Sequence, residues 1–403
     1  TTAKLSLVDG GEPLTAYAFE AARQKRFLEG SGLPIRISTI ELIEIGAGGG
    51  SIAHVDEIGL LKVGPRSAGS QPGPAAYGLG GIEPTVTDAD FALGYLDPGY
   101  FAGGEMRIDM ASARAALDRL AARVALPLVE CAWGVHDVVN ENMAGAARVH
   151  IAERGRDPRR YALLCTGGAG PVHAYYVARK LGLSQVVCPP AAGVASALGL
   201  LMAPARVDRV ATVGIRLDRD SVAALEKAFR RLEDDARAVM ADSGLKLDAA
   251  TVRRFADGRF LGQGFDLVVD LPDGPYDDSD ACRQRLTAAF ETAYREKFAL
   301  TPPEVPVEFI NVRVAVRAPV AGAEVTVRGE AAGGDGAVKG VRPVYFPERR
   351  RFEQTTVYDR ARLAPGDEIR GPAVVEEEGS TLVIGPGGTA RVAATGNIVV
   401  TLP

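Results

Sequence analysis

Cysteine is scarce and never paired. The four cysteines, Cys131, Cys165, Cys188 and Cys282, form no C-x-x-C motif, so neither a zinc knuckle nor a disulfide framework is indicated, and a reducing cytoplasm suits the chain. An excess of basic residues is also missing. With 46 Lys+Arg against 51 Asp+Glu and a formal net charge of -5, the interspersed charges leave no electrostatic footprint for nucleic acid or an anionic membrane. Long apolar runs are nearly absent. The one charge-free stretch of bilayer length, Val186 to Ala205, is broken by Pro189, Pro190 and Gly193, which predicts a short strand and a buried helix over 194–202 instead of a membrane span. No signal-peptide pattern is visible, and the sequence opens on Thr1 rather than Met, as expected of a processed, excised or partial chain.

What is present is enough apolar material, 47% of 403 residues, to fill two or three soluble domains. Residues 3–8 and 14–19 alternate around Asp9-Gly10-Gly11-Glu12-Pro13, predicting a hairpin that must join a larger sheet. Strands are expected at 40–45 and 51–55, then a long Gly/Pro-rich loop from 64 to 98. Asp109 suits the cap of a helix with apolar positions at Ala113, Leu117, Leu120 and Val124. A second, longer helix carries Ala132, Val135, Val139 and Met143. Strand 161–165, helix 172–181, strand 185–188 and helix 194–202 then alternate as in layered α/β domains. These patterns divide the chain into an α/β domain at 1–207, a second α/β unit at 208–317 and a small carboxyl-terminal β-domain at 318–403.

Two glycine turns stand out. CTGGAGPVHA, residues 165–174, places bare backbone where a strand feeds a helix, with Pro171 near the first helical position. That layout suits an anion or nucleotide, because helix N-termini carry partial positive charge; it equally suits a plain tight turn. The spacing is neither G-x-G-x-x-G nor a Walker loop. GAGGGS, Gly46 to Ser51, precedes a strand-like alternation and is expected as a hairpin turn, whose amides could nest phosphate oxygens or serve conformation alone.

GAGGGSIAHVD (46–56), LLKVGPRSAGSQPGPAAYGLGGIEPTVTDAD (60–90), FAGGEMRID (101–109), CTGGAGPVHA (165–174), ASALGLL (195–201), RFLGQGFDL (259–267) and GPAVVEEEGSTLVIGPG (371–387) occur in order. Together they resemble the hydantoinase A/oxoprolinase family, over essentially the whole chain. The resemblance implies an actin-like ATPase core of the sugar-kinase and Hsp70 type, of which this chain is similar to the carboxyl-terminal half. Thr1 and Thr2 look like the tail of an Asp-x-Gly-Gly-Thr phosphate hairpin, with the remainder expected on an amino-terminal half or a separate polypeptide. A hydantoinase B-type subunit is the other expected partner.

By the same resemblance the chain is expected to bind ATP and Mg2+ and to act on a small cyclic amide. Phosphorylating the inert carbonyl oxygen turns it into a leaving group and opens the carbon to water. Gly167, Gly168 and Gly170 would approach the adenosine, Thr1 and Thr2 would border the phosphates, and Gly46, Gly48, Gly49, Gly50 and Ser51 would line the same cleft. A ketone carboxylase subunit is the alternative within the family, and an amino-terminal-threonine hydrolase is the alternative outside it.

Individual side chains complete the expectation. His54 and Asp56 share one face of a strand and suit a general base or a metal pair, against no direct chemistry. Asp88 suits Mg2+ through water, or a helix cap. His173 suits contact with substrate or nucleotide, or a packed histidine steadying its turn. His136 and His150 are assigned to core or solvent. Arg66, Arg259 and Gln263 are expected at the substrate, Arg259 and Gln263 because they match the family's Arg-aromatic-x-Gly-Gln pattern, with structural ion pairing as the other reading for the arginines.

Overall fold

A computed structural model describes residues 1–21, 31–35, 37–300, 305–319 and 334–403. The chain divides into two compact units, Thr1–Leu198 with Thr326–Pro403, and Gly199–Val325.

In the first unit the helices form where the caps and apolar periods predict. The carboxylate of Asp109 accepts from the N–H groups of Ala111 and Ser112, both at 3.0 Å, and starts the helix Met110–Val124. That helix buries Ala113, Leu117 and Leu120, and ends where Ala125 turns left-handed. The helix Leu128–Ala152 buries Ala132, Val135, Val139 and Met143, but also places His136 and Asn140 fully inside. The helix Gly170–Leu181 is sunk into the core and closed by Gly182 at φ 71°.

Its sheets join distant parts of the chain. Leu163–Leu164 pairs in parallel with Gln185–Cys188, which pairs antiparallel with Ile398–Thr401; Thr389–Val392 and Glu368–Arg370 complete five strands. Four more strands, Val338–Phe346, Arg351–Asp359, Ala373–Glu377 and Ser380–Ile384, form a second sheet. Val135, Tyr175, Val374, Ile384 and Ile398 therefore belong to one hydrophobic core. The separate β-domain expected at 318–403 is corrected accordingly: its strands alone could not bury their apolar faces, and they do so against the helices and strands of the first unit.

The amino-terminal pairings also differ from expectation. Ala3–Ser6 pairs with Leu42–Ile45, and the Gly10–Gly11 turn joins only the two-residue strands Val8–Asp9 and Glu12–Pro13. Ser51–Val55 pairs with Leu61–Ser67. The turn Gly46–Ser51 is thus a crossover between two ribbons and not a hairpin. The loop expected at 64–98 contains the helix Val86–Ala92, short for a periodicity signal but strongly capped at Thr85.

The second unit is a four-stranded antiparallel sheet in the order Ala205–Arg216, Val307–Ala318, Thr251–Phe260, Leu267–Asp270, carrying the helices Ala223–Asp242 and Asp280–Phe298. Leu225, Phe229, Phe290 and Phe309 are fully buried between them. No helix among the described residues is long and apolar enough to cross a membrane.

Candidate active site

The two glycine turns meet across one cleft of the first unit. At the first, the N–H of Gly48 donates to Ser51 Oγ at 3.0 Å and the N–H of Thr87 donates to the Gly49 carbonyl at 2.8 Å. A Cβ on Gly48 would lie 2.7 Å from the backbone nitrogen of Thr1, and one on Gly49 would lie 2.6 Å from Thr87 Oγ1. Only glycine lets these three segments close together. At the second turn the N–H of Gly167 donates to the Ala192 carbonyl at 2.7 Å, with φ of 87°, while Gly168 faces the Gly379 carbonyl.

The cleft between them holds about 530 Å³. Thr1, Gly49, Gly50 and Gly168 line it, and Thr2, Gly46, Gly48, Ser51, Gly167 and Gly170 do not. Its size is that of a small-molecule site. Its charge is one-sided: Asp90, Asp97, Glu376, Glu377 and Glu378 line the wall, with no Lys or Arg among the lining residues. Four of these acids are already engaged: Asp90 is hydrogen-bonded with His136, and Asp97 accepts from the Gly99 N–H at 2.8 Å and lies 3.6 Å from Arg342. Glu376 is ion-paired with Lys339 and Arg342, and Glu377 accepts from the N–H groups of Ala191 and Ala192 and from Ser380 Oγ.

Behind the cleft wall lies a buried polar cluster. Asp90, on the helix Val86–Ala92, accepts from His136 Nδ1 at 2.7 Å, and its other oxygen lies 3.8 Å from His173 Nε2. The two imidazoles stack at 4.7 Å between centroids and 26° between planes. All three side chains are essentially inaccessible, at 3%, 0% and 1% exposure for Asp90, His136 and His173. Burial pushes Asp90 up to about 7, with His173 opposing. It pushes His136 down to about 3, Asp137 opposing and Lys180 adding to it, and His173 down to about 4, against the pull of Asp90 and with that of His136. Both rings are therefore neutral near pH 7, and while Asp90 is ionised the proton of this hydrogen bond sits on His136 Nδ1.

His173 alone of the side chains expected to act on substrate joins this cluster. Asp88, expected to hold Mg2+, is committed elsewhere: its oxygens accept from the N–H groups of Ala75, Ala76 and Thr85 and from Thr85 Oγ1, completing a capping box. With its lone pairs so used, the fully buried carboxylate is structural, which corrects the Mg2+ expectation there. Asp56 closes a turn by accepting from the N–H groups of Ile58 and Leu60, and lies 3.8 Å from Lys62 Nζ. His54 is half-buried on Ser51–Val55, away from the residues lining the cleft. Arg66 is exposed and paired with Glu83. Arg259 and Gln263 belong to the second unit, where Arg259 Nε donates to Glu308 at 2.7 Å and Gln263 Oε1 accepts from the Phe260 N–H at 3.0 Å.

Sequence reasoning overlooked Asp90 and gave His136, assigned to core or solvent, no part in the site; the structure buries it in the core. A signal existed: His136 and Asn140 stand four apart on the same stripe as Val135, Val139 and Met143, where a solvated polar pair does not belong. Asp90 gave none beyond its place two residues after Asp88, since its partner lies 46 positions away.

Comparison with known proteins places this geometry in context. The family model described as hydantoinase/oxoprolinase matches residues 1–209, and that described as the hydantoinase/oxoprolinase C-terminal domain matches 217–395. The chain is 35% identical to the caprolactamase subunit alpha of Pseudomonas jessenii over 88% of its own length and 51% of the relative's. It is 33% identical to the acetophenone carboxylase gamma subunit of Aromatoleum aromaticum, over 87% of its own length and 49% of the relative's. The crystal structure of the ATP-dependent caprolactamase from Pseudomonas jessenii superposes with a TM-score of 0.80 at 31% identity, covering 94% of this chain and 55% of that one. The chain thus spans about half the length of these relatives.

Proposed function

Because the chain belongs to the hydantoinase/oxoprolinase family, we propose that it supplies part of the ATP cleft of an actin-like enzyme that hydrolyses a cyclic amide through phosphorylation of the carbonyl oxygen. The observation that carries this reading is the convergence of Thr1, Gly49, Gly50 and Gly168 on one cleft. Bare backbone on opposite walls lets amide N–H groups approach phosphate oxygens without steric obstruction. ATP supplies the phosphoryl group that turns an unreactive amide oxygen into a leaving group, and Mg2+ neutralises its phosphates.

The acidic wall supports a cleft completed by other groups. Phosphates beside Asp90, Asp97 and Glu378 need cations, and the lining residues offer none. Glu378 presents carboxylate oxygens that suit Mg2+, an ion that prefers oxygen ligands. Further cationic groups would come from a chain equivalent to the part of the relatives that this one does not span, or from a hydantoinase B-type subunit. A cytoplasmic site of action follows from the same reading, since ATP is its co-substrate.

A second reading, an ATP-dependent ketone carboxylase subunit, is favoured by the likeness to the acetophenone carboxylase gamma subunit. One assay separates the two. The chain, combined with a polypeptide equivalent to the amino-terminal half of the relatives and a hydantoinase B-type subunit, is given ATP with caprolactam or 5-oxoproline, and in parallel with acetophenone and bicarbonate. Phosphate release stimulated by the lactams supports the hydrolase, stimulation by ketone with bicarbonate supports the carboxylase, and stimulation by neither sinks both.

A further inference from the structure

Three donors meet behind the cleft: an Asp90 oxygen and one ring nitrogen each from His136 and His173, all within 4.8 Å of one another. We propose that they form a site for a divalent transition-metal ion, with its open side toward the cleft that Asp90 lines. The proposal does not rest on the nucleotide reading.

The cluster as it stands leaves its polar groups unserved. Among the described residues, neither ring nitrogen of His173, nor Nε2 of His136, nor either amide atom of the neighbouring Asn140 has a hydrogen-bond partner, although His136 and Asn140 are fully buried and His173 is 1% exposed. Orphaned polar atoms at this depth are expensive. The Asp90 carboxylate has two imidazoles beside it and, among the described residues, no ion pair to Lys or Arg. A divalent ion would balance the charge and use the imidazole lone pairs together.

The donor set selects the ion. Two imidazoles and one carboxylate suit zinc, iron or manganese with positions left open, whereas Mg2+ prefers an all-oxygen shell. Metal–donor lengths of about 2.0–2.2 Å hold neighbouring donors roughly 3.0–3.5 Å apart. The Asp90–His136 pair at 2.7 Å would widen slightly, and the Asp90–His173 pair at 3.8 Å would close. Coordination through His136 Nδ1 moves the ring proton to Nε2, which has no other partner, so the imidazole binds as a neutral ligand. Held there, the ion would act as a Lewis acid on a carbonyl or phosphoryl oxygen of a molecule in the cleft.

The competing soft site is the buried pair Cys165 and Cys188, whose thiols donate to the carbonyls of Val187 and Pro189. The test therefore uses the full chain, stripped with a chelator and titrated calorimetrically with Zn2+ and Co2+ without nucleotide. The expected result is one ion per chain and a cobalt spectrum lacking intense thiolate charge transfer. Asp90→Asn, His136→Gln and His173→Asn, each checked for native near-ultraviolet circular dichroism, should weaken binding by about 10-fold or more; Cys188→Ser should leave it unchanged. Absence of binding, binding abolished by Cys188→Ser, or binding unchanged in all three cluster variants would overturn the proposal.

Discussion

His136 donates its Nδ1 proton to an ionised Asp90 at 2.7 Å across 46 residues of sequence, with neither side chain more than 3% exposed. The bond locks the helix Val86–Ala92 to the helix Leu128–Ala152 and fixes the Asp90 carboxylate at the back of the cleft. A double-mutant cycle of Asp90→Asn and His136→Gln, followed by urea unfolding of metal-free protein, should give a coupling energy of about 1–3 kcal/mol. Additive effects would show that the two side chains do not interact.

Asp88, two residues earlier, should behave as a structural residue. Replacing it by Ala strips four donors of their acceptor, and the expected loss of stability is about 2–4 kcal/mol. Denaturant unfolding measures the loss. Mg2+ titration of the Asp88→Asn variant should match the wild type, and a large drop in Mg2+ affinity would restore Asp88 as a metal ligand.

Glycines near the cleft should separate into two kinds. A Cβ at Gly193 would sit 2.5 Å from the Gly379 carbonyl, so Gly193→Ala forces backbone apart and should cost about 1–3 kcal/mol of stability. At Gly168 the nearest atom is 3.3 Å away, so Gly168→Ala is expected to fold with little change. Its consequence should fall on nucleotide instead, as a several-fold loss in labelling by a photoreactive ATP analogue in the complete enzyme. Equal labelling of wild type and variant would remove that turn from the nucleotide site.

The second unit offers a pH test. Burial would raise Glu226, but hydrogen bonds from Arg254, Arg230 and the Tyr276 N–H, at 2.7, 2.8 and 3.2 Å, outweigh it and hold the carboxyl at about 2 against an ordinary 4.5. A depressed carboxyl stabilises the fold above its unfolded value, and the contribution disappears as pH falls through the folded one. The unit should therefore lose stability between about pH 4.5 and 2, and Glu226→Gln should flatten that limb of the curve. Parallel acid curves for the two proteins would refute the assignment.

Much of the fold is legible because helices declare themselves locally. Asp109 caps its helix through bonds only two and three residues long, and Gln185–Cys188 forms where a short apolar run follows a glycine. Strand partners are another matter. Gln185 finds Thr401 and Ala3 finds Ile45, pairings that many alternating segments could satisfy equally well until the whole core forms.

The sequence by itself therefore determined the helices, their caps, the bare glycine bends and the family to which their order belongs. Tertiary structure alone decided that the bends at Gly49 and Gly168 share a cleft, that the final strands close the first unit, and that Asp90 meets His136 and His173. The division has a physical cause. Caps and turns are satisfied by neighbours a few residues away, whereas burial of a polar side chain is set by which distant segments pack over it.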